Sequence, residues 1–324
     1  MNARTLRLGL AAALAIALAT SAWAQDHDAY LQRYGIAVAG LDSAVASVAD
    51  DPVTAREGID RAFNALLTLS RDATGTNLVG ALERVFERAR TAITNGSADD
   101  LAVQAAVLAG GFQRLAYEAA LIAALDGDLD VARQRLLRVA DDVGFTEADR
   151  AALADPAQPA ATLRFHVETG AAAAMEAQLA LARELVATSP GAAYRAIARA
   201  YGTFLLVQDS PRAAGTLNQG FVDAAVALVD GDPAAVIAAV EAIEADVAAL
   251  GTAARERRTS VPESGVDLAT QPSLLPSVAD ATEPEEPATT GEDATAAETL
   301  AEAPTALDDD PTTYTTIEVT ALLL

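Results

Sequence analysis

The chain has 324 residues, no Cys, and 46 acidic against 22 basic residues, every base an Arg, for a formal charge of −24. That charge repels phosphate backbones and anionic headgroups, which argues against nucleic acid and anionic lipid as partners. Without Cys there is no disulfide framework, no thiolate metal centre and no lipidated N-terminal Cys.

Residues 1–24 predict a secretory signal peptide. Arg4 and Arg7 supply the positive end, Leu8–Ala19 the apolar run, and Ala22-Trp23-Ala24 a small-x-small cleavage site. The apolar run is shorter than the roughly 20 residues of a spanning helix. Cleavage after Ala24 is therefore expected, with a periplasmic or extracellular product and no stable membrane span. It would expose Gln25-Asp26-His27. An amine, two backbone amides and the imidazole of a third-position His offer four nitrogens in a square plane, which suits Cu(II) or Ni(II). Gln25, Asp26 and His27 are thus the candidate metal site. The competing reading makes His27 an exposed polar residue, and cyclisation of Gln25 would remove the amine.

From Asp28 to about Glu256 the chain predicts roughly nine helices, rich in Ala, Leu, Arg, Glu and Gln. Breaks fall at Asp50-Asp51-Pro52, Asp72–Gly75, Asn95-Gly96-Ser97, Asp126-Gly127-Asp128, Asp155-Pro156, Ser189-Pro190-Gly191, Asp209-Ser210-Pro211 and Asp230-Gly231-Asp232-Pro233. Gly ends a helix cheaply in the left-handed conformation, and Asp or Ser caps the next. Such short connections make neighbouring helices antiparallel.

Early in this region Arg56-Glu57-Gly58-Ile59-Asp60 resembles the REGxE signature of bacterial iron permeases. In that family the resemblance implies carboxylates handling an ion within an apolar membrane helix. Here Asp replaces the final Glu, and Arg61 and Asn64 follow at once, so Glu57 and Asp60 read as surface charge on a soluble helix.

Further on, Ala119–Ala140 (AALIAALDGDLDVARQRLLRVA) resembles the turn and second helix of a tetratricopeptide repeat. The resemblance implies a turn at Gly127-Asp128, a small packing residue at Ala132 and a larger core residue at Leu136. Glu87–Leu101 and Phe221–Ala235 share the plan of helix, Asx-Gly turn and helix. The spacing of the first two turns, 31 residues, is shorter than the usual 34 of that family. Asp126-Gly127-Asp128-Leu129-Asp130 has the alternating acids of a calcium loop, but Val131 and Leu137 occupy the positions that need Gly and Glu. Those acids read as a turn and a cap.

His166 is the one His of the helical region, with Arg164 and Glu168 at i,i+4 spacing on a helix face. No HExxH site and no G-x-S-x-G elbow occur. Tyr194, Tyr201, Phe204 and Phe221 gather around a Gly-containing helix pair. They read as core or as the lining of a groove for a peptide or small apolar ligand. Val236, Val240, Ile243, Val247 and Leu250 form a seam in steps of 4 and 3 that reads as intramolecular core, with a dimerising coiled coil as the alternative.

Composition changes at about Thr259. Residues 259–324 hold 14 acids and no base. The stretch 259–311 predicts a disordered acidic linker, too poor in apolar residues to offset ordering entropy. Thr312–Leu324 is a short apolar, β-prone terminus.

The fold class expected is all-α, with antiparallel helical hairpins in a solenoid or a closed bundle and a disordered acidic tail. No enzyme and no cofactor are expected. The function expected is an exported scaffold that binds a protein or peptide in the cell envelope. The alternative is an accessory domain for metal or solute capture in envelope transport. Composition leaves the partner's identity and the oligomeric state open.

Overall fold

The structure, a computed structural model, describes residues 29–70 and 76–260, and these form ten α-helices without a strand. The signal peptide, the Gln25-Asp26-His27 site, the turn at Asp72–Gly75 and the chain beyond Ser260 lie outside the described residues. The helices are α1 (29–47), α2 (Pro52–Leu69), α3 (Thr76–Thr94), α4 (Ala98–Leu125), α5 (Leu129–Val143), α6 (Glu147–Ala154), α7 (Ala160–Leu185), α8 (Pro190–Val207), α9 (Leu217–Val229) and α10 (Pro233–Ser260).

Every predicted break that falls on described residues separates two helices. The caps act as their chemistry requires. Asp51 accepts hydrogen bonds from the Val53 and Thr54 amides, Ser97 from that of Asp100, and Asp128 from that of Val131. One boundary corrects the expected nine helices to ten. Gly144, at φ +83°, ends α5 in the left-handed region. Thr146 then starts α6 through a reciprocal box. Its hydroxyl accepts from the Asp149 amide at 3.2 Å and donates to the Asp149 carboxylate at 2.6 Å. At the other end α10 runs to Ser260, two residues past the expected boundary. Arg257 and Arg258 sit in its last turn, where the helix dipole favours cations.

Neighbours in sequence pack together, but the centre of the body is built from helices far apart in the chain. α4 packs on α3, α5 and α8. α8 lies between α4 and α7, and α10 between α7 and α9. A solenoid in which each unit touches only adjacent units does not place α4 beside α8. α4 is accordingly buried on nearly all sides from Leu101 to Ala123. The seam Val236, Val240, Ile243, Val247 and Leu250 is fully buried within α10's packing on α7 and α9, so it serves the core of one chain.

Two glycine contacts set helix spacing. A Cβ on Gly40 of α1 would stand 2.6 Å from the Gly58 carbonyl oxygen of α2, and one on Gly202 of α8 would stand 2.6 Å from that of Ala106 in α4. Only hydrogen at these positions lets the backbones approach so closely. Elsewhere, α1 is tied to α5 by cation–aromatic stacking. Arg135 lies 4.4 Å from the Tyr30 ring centre and Arg138 5.7 Å from that of Tyr34.

Candidate functional site

A groove of about 620 Å³ opens between the first half of α2 and the end of α3. Helix α2 reaches it with one face. Val53, Arg56, Glu57 and Asp60 follow the i, i+3, i+4, i+7 spacing and all line the groove. Pro52 and Ile93 add apolar surface, and Thr94, Asn95 and Gly96 close the α3 side. Val53 is 69% exposed.

The sequence stretch 56–60 is therefore split by the helix. Its charged members face the groove, while Gly58 and Ile59 turn inward, Gly58 onto Gly40 and Ile59 into the core. Asp60 accepts from Arg90 Nη2 at 2.9 Å and Nε at 3.2 Å, and Arg90 also stacks 5.0 Å above Phe63. Glu57 lies 4.0 Å from Arg61 and is well exposed. Both carboxylates thus sit at the surface beside a guanidinium. Among the described residues no three His, Asp or Glu side chains gather to hold a metal ion.

The four aromatic residues expected at a groove are placed elsewhere. Tyr201, Phe204 and Phe221 are buried, with ring centres 5.5–6.1 Å apart. Tyr194 is half-buried and packs on the same core. The faces and edges of Tyr201, Phe204 and Phe221 are occupied by one another, so these three are core packing and the groove reading of them is corrected. Burial pushes the Tyr201 phenol up to about 12.

A second polar assembly joins α4, α7 and the α8–α9 connection. Glu168 is 1% exposed. Its Oε1 accepts from Arg164 Nε at 3.0 Å, Ser210 Oγ at 2.8 Å and Arg212 Nη2 at 2.6 Å, and its Oε2 accepts from Arg212 Nε at 2.6 Å. Nearby, Arg114 bonds Glu118, the Leu206 carbonyl and Asp209. A carboxylate engaged by four donors has little room to bind a substrate. Its chemistry here is to hold the connection 208–216 onto α7. The Arg164–Glu168 pair was visible as an i,i+4 spacing. Ser210 and Arg212, more than 40 residues away, carried no local signal.

His166 points into the interior of the body, not to solvent. It is 3% exposed, and its Nδ1 faces Arg258 Nη1 of α10 at 3.2 Å. Asp126, Asp128 and Asp130 sit at the turn and first residues of α5, with Gly127 at φ +87°, while Ala132 and Leu136 are buried. No protein-family model matches the chain, and neither curated proteins nor solved structures give a significant match.

Proposed function

We propose that this chain is an exported, non-enzymatic helical scaffold that binds a protein or peptide partner in the cell envelope, and that the α2–α3 groove receives part of that partner. The observation that supports this reading is the exposed Val53 beside Ile93 in an open groove with charges of both signs on its rim. An apolar anchor surrounded by charged groups is the usual make-up of a recognition patch. A catalytic reading has less support. Asp60 and Glu57, both on the groove, each lie beside an arginine.

Site-directed photo-crosslinking tests the proposal. A photoreactive residue replaces Val53 in the full chain, produced in its native host, and a second variant carries it at Leu181 on α7, another exposed apolar position. The expected result is one discrete adduct from position 53 and none from position 181. Equal or absent labelling at both would overturn the groove's role. Isothermal titration with Fe, Cu, Ni and Ca separates the alternative: a tight stoichiometric site would favour metal capture over scaffolding.

A further inference from the structure

Arg258 stands in the last turn of α10 and reaches across to the buried ring of His166 on α7. A guanidinium only donates hydrogen bonds, so Nδ1 of His166 must accept and the ring's own proton must be on Nε2. That Nε2 is buried without a hydrogen-bond partner. The contact therefore exists with the neutral imidazole alone.

We propose that His166 and Arg258 form a pH-sensitive latch that fastens the C-terminal end of α10 to α7 and opens when the imidazole is protonated. The step is a simple uptake. A proton from solvent binds the Nδ1 lone pair, the Arg258 hydrogen bond loses its acceptor, and two cations then face each other at the site. Arg258 is the half-buried partner at a helix end, so it is the group that can swing out to water.

The surroundings favour this outcome. Helix α6 presents Asp149, held by Thr146, whose negative charge partly supports the protonated ring. Helix α10 presents Arg258. On α7 itself, Arg164 and Glu168 are two residues away and occupied with each other and with Arg212. Helices α5 and α8 also pack on α7 but bring no charge that moves the ring's proton affinity. Burial foremost, then Arg258, hold the imidazole below its ordinary 6.5, outweighing Asp149. A depressed folded-state value means the latch is closed above pH 6.5 and is lost as pH falls through that lower value.

Because the chain has no Cys, a dye on Thr259→Cys of the full chain labels the end of α10 alone. Fluorescence anisotropy is followed from about pH 8 to about pH 5. The expected result is a fall with one midpoint below 6.5. In His166→Gln the amide oxygen still accepts from Arg258, so the fall should vanish. In Arg258→Ala the dye should be mobile at every pH. An identical profile in His166→Gln, or a dye as immobile in Arg258→Ala as in the parent at high pH, would overturn the latch. Imidazole NMR adds a readout independent of the dye, since the chain has two His. The His166 midpoint should rise in Arg258→Ala, and an unmoved midpoint also overturns the proposal.

Discussion

Exchanging Gly202 for Ala asks whether α4 and α8 meet backbone to backbone. The new Cβ would stand 2.6 Å from the Ala106 carbonyl oxygen, where about 3.4 Å is ordinary contact. An oxygen fixed in a helix cannot rotate aside, so the two helices must part by about 0.8 Å, a gap that forfeits a quarter to a half of the dispersion attraction across it. Overpacking of this kind costs about 1–3 kcal/mol. Ala in a helix interior returns about 1 kcal/mol over Gly. Both helices are long and lose contact along their shared length, so the upper part of the range applies, and the net loss is about 1–2 kcal/mol. For a domain of this size that lowers Tm by about 2–8 °C. Thermal unfolding followed by far-UV circular dichroism, with urea unfolding for the free energy, measures it. Gly35→Ala in α1 is the control, because nothing lies within 4 Å of its Cβ position. It should stabilise by about 0.5–1 kcal/mol. If Gly202→Ala melts at or above the parent, the close approach of α4 and α8 is refuted.

Glu168→Ala should destabilise by about 2–4 kcal/mol, a buried-pair loss discounted because the arginines left behind are partly reached by water; urea unfolding showing less than about 1 kcal/mol would contradict the network's role. Tyr117 and Tyr201, both pushed up to about 12 foremost by burial, should ionise after the ordinary 10.0 in a spectrophotometric titration. Their neutral phenols contribute stability that is complete below 10.0 and lost as pH rises through about 12, because the unfolded chain releases those protons first. Ionisation of every tyrosine near 10.0 in a chain that is still helical would rule this out.

Helix positions were legible because their signals are local. Asp128 and Gly127 announce a cap and a turn whatever surrounds them, and the α10 seam shows its buried face in its own spacing. The boundary at Gly144 was also written locally, in Gly144 and the box of Thr146 and Asp149, yet an otherwise continuous helical composition concealed it. Longer-range features had no such trace. Gly202 reads from sequence only as a weak helix former, and its purpose appears once Ala106 lies against it. Tyr201, Phe204 and Phe221 have the spacing of either a core or a groove, and only the third dimension decides between them. The groove itself was half visible. Residues 53–60 show a charged helix face, but the α3 surface that turns this face into one wall of a groove is about 40 residues away.

The pairing of α4 with α8 also sets the order in which the chain can become itself. Nearly a hundred residues separate Gly110 from Gly202, and their meeting closes a loop whose entropic cost must be met before the contact gives anything back. A polypeptide emerging from its N-terminus can cover α4 with α3 and α5, but the side of α4 that meets α8 stays uncovered until α8 has been made. Any piece that stops short of Pro190 therefore carries a central helix uncovered on its α8-facing side and is prone to stick to its neighbours. The packing of α4 on α8 leaves no place between them at which the body can be cut into two self-sufficient halves.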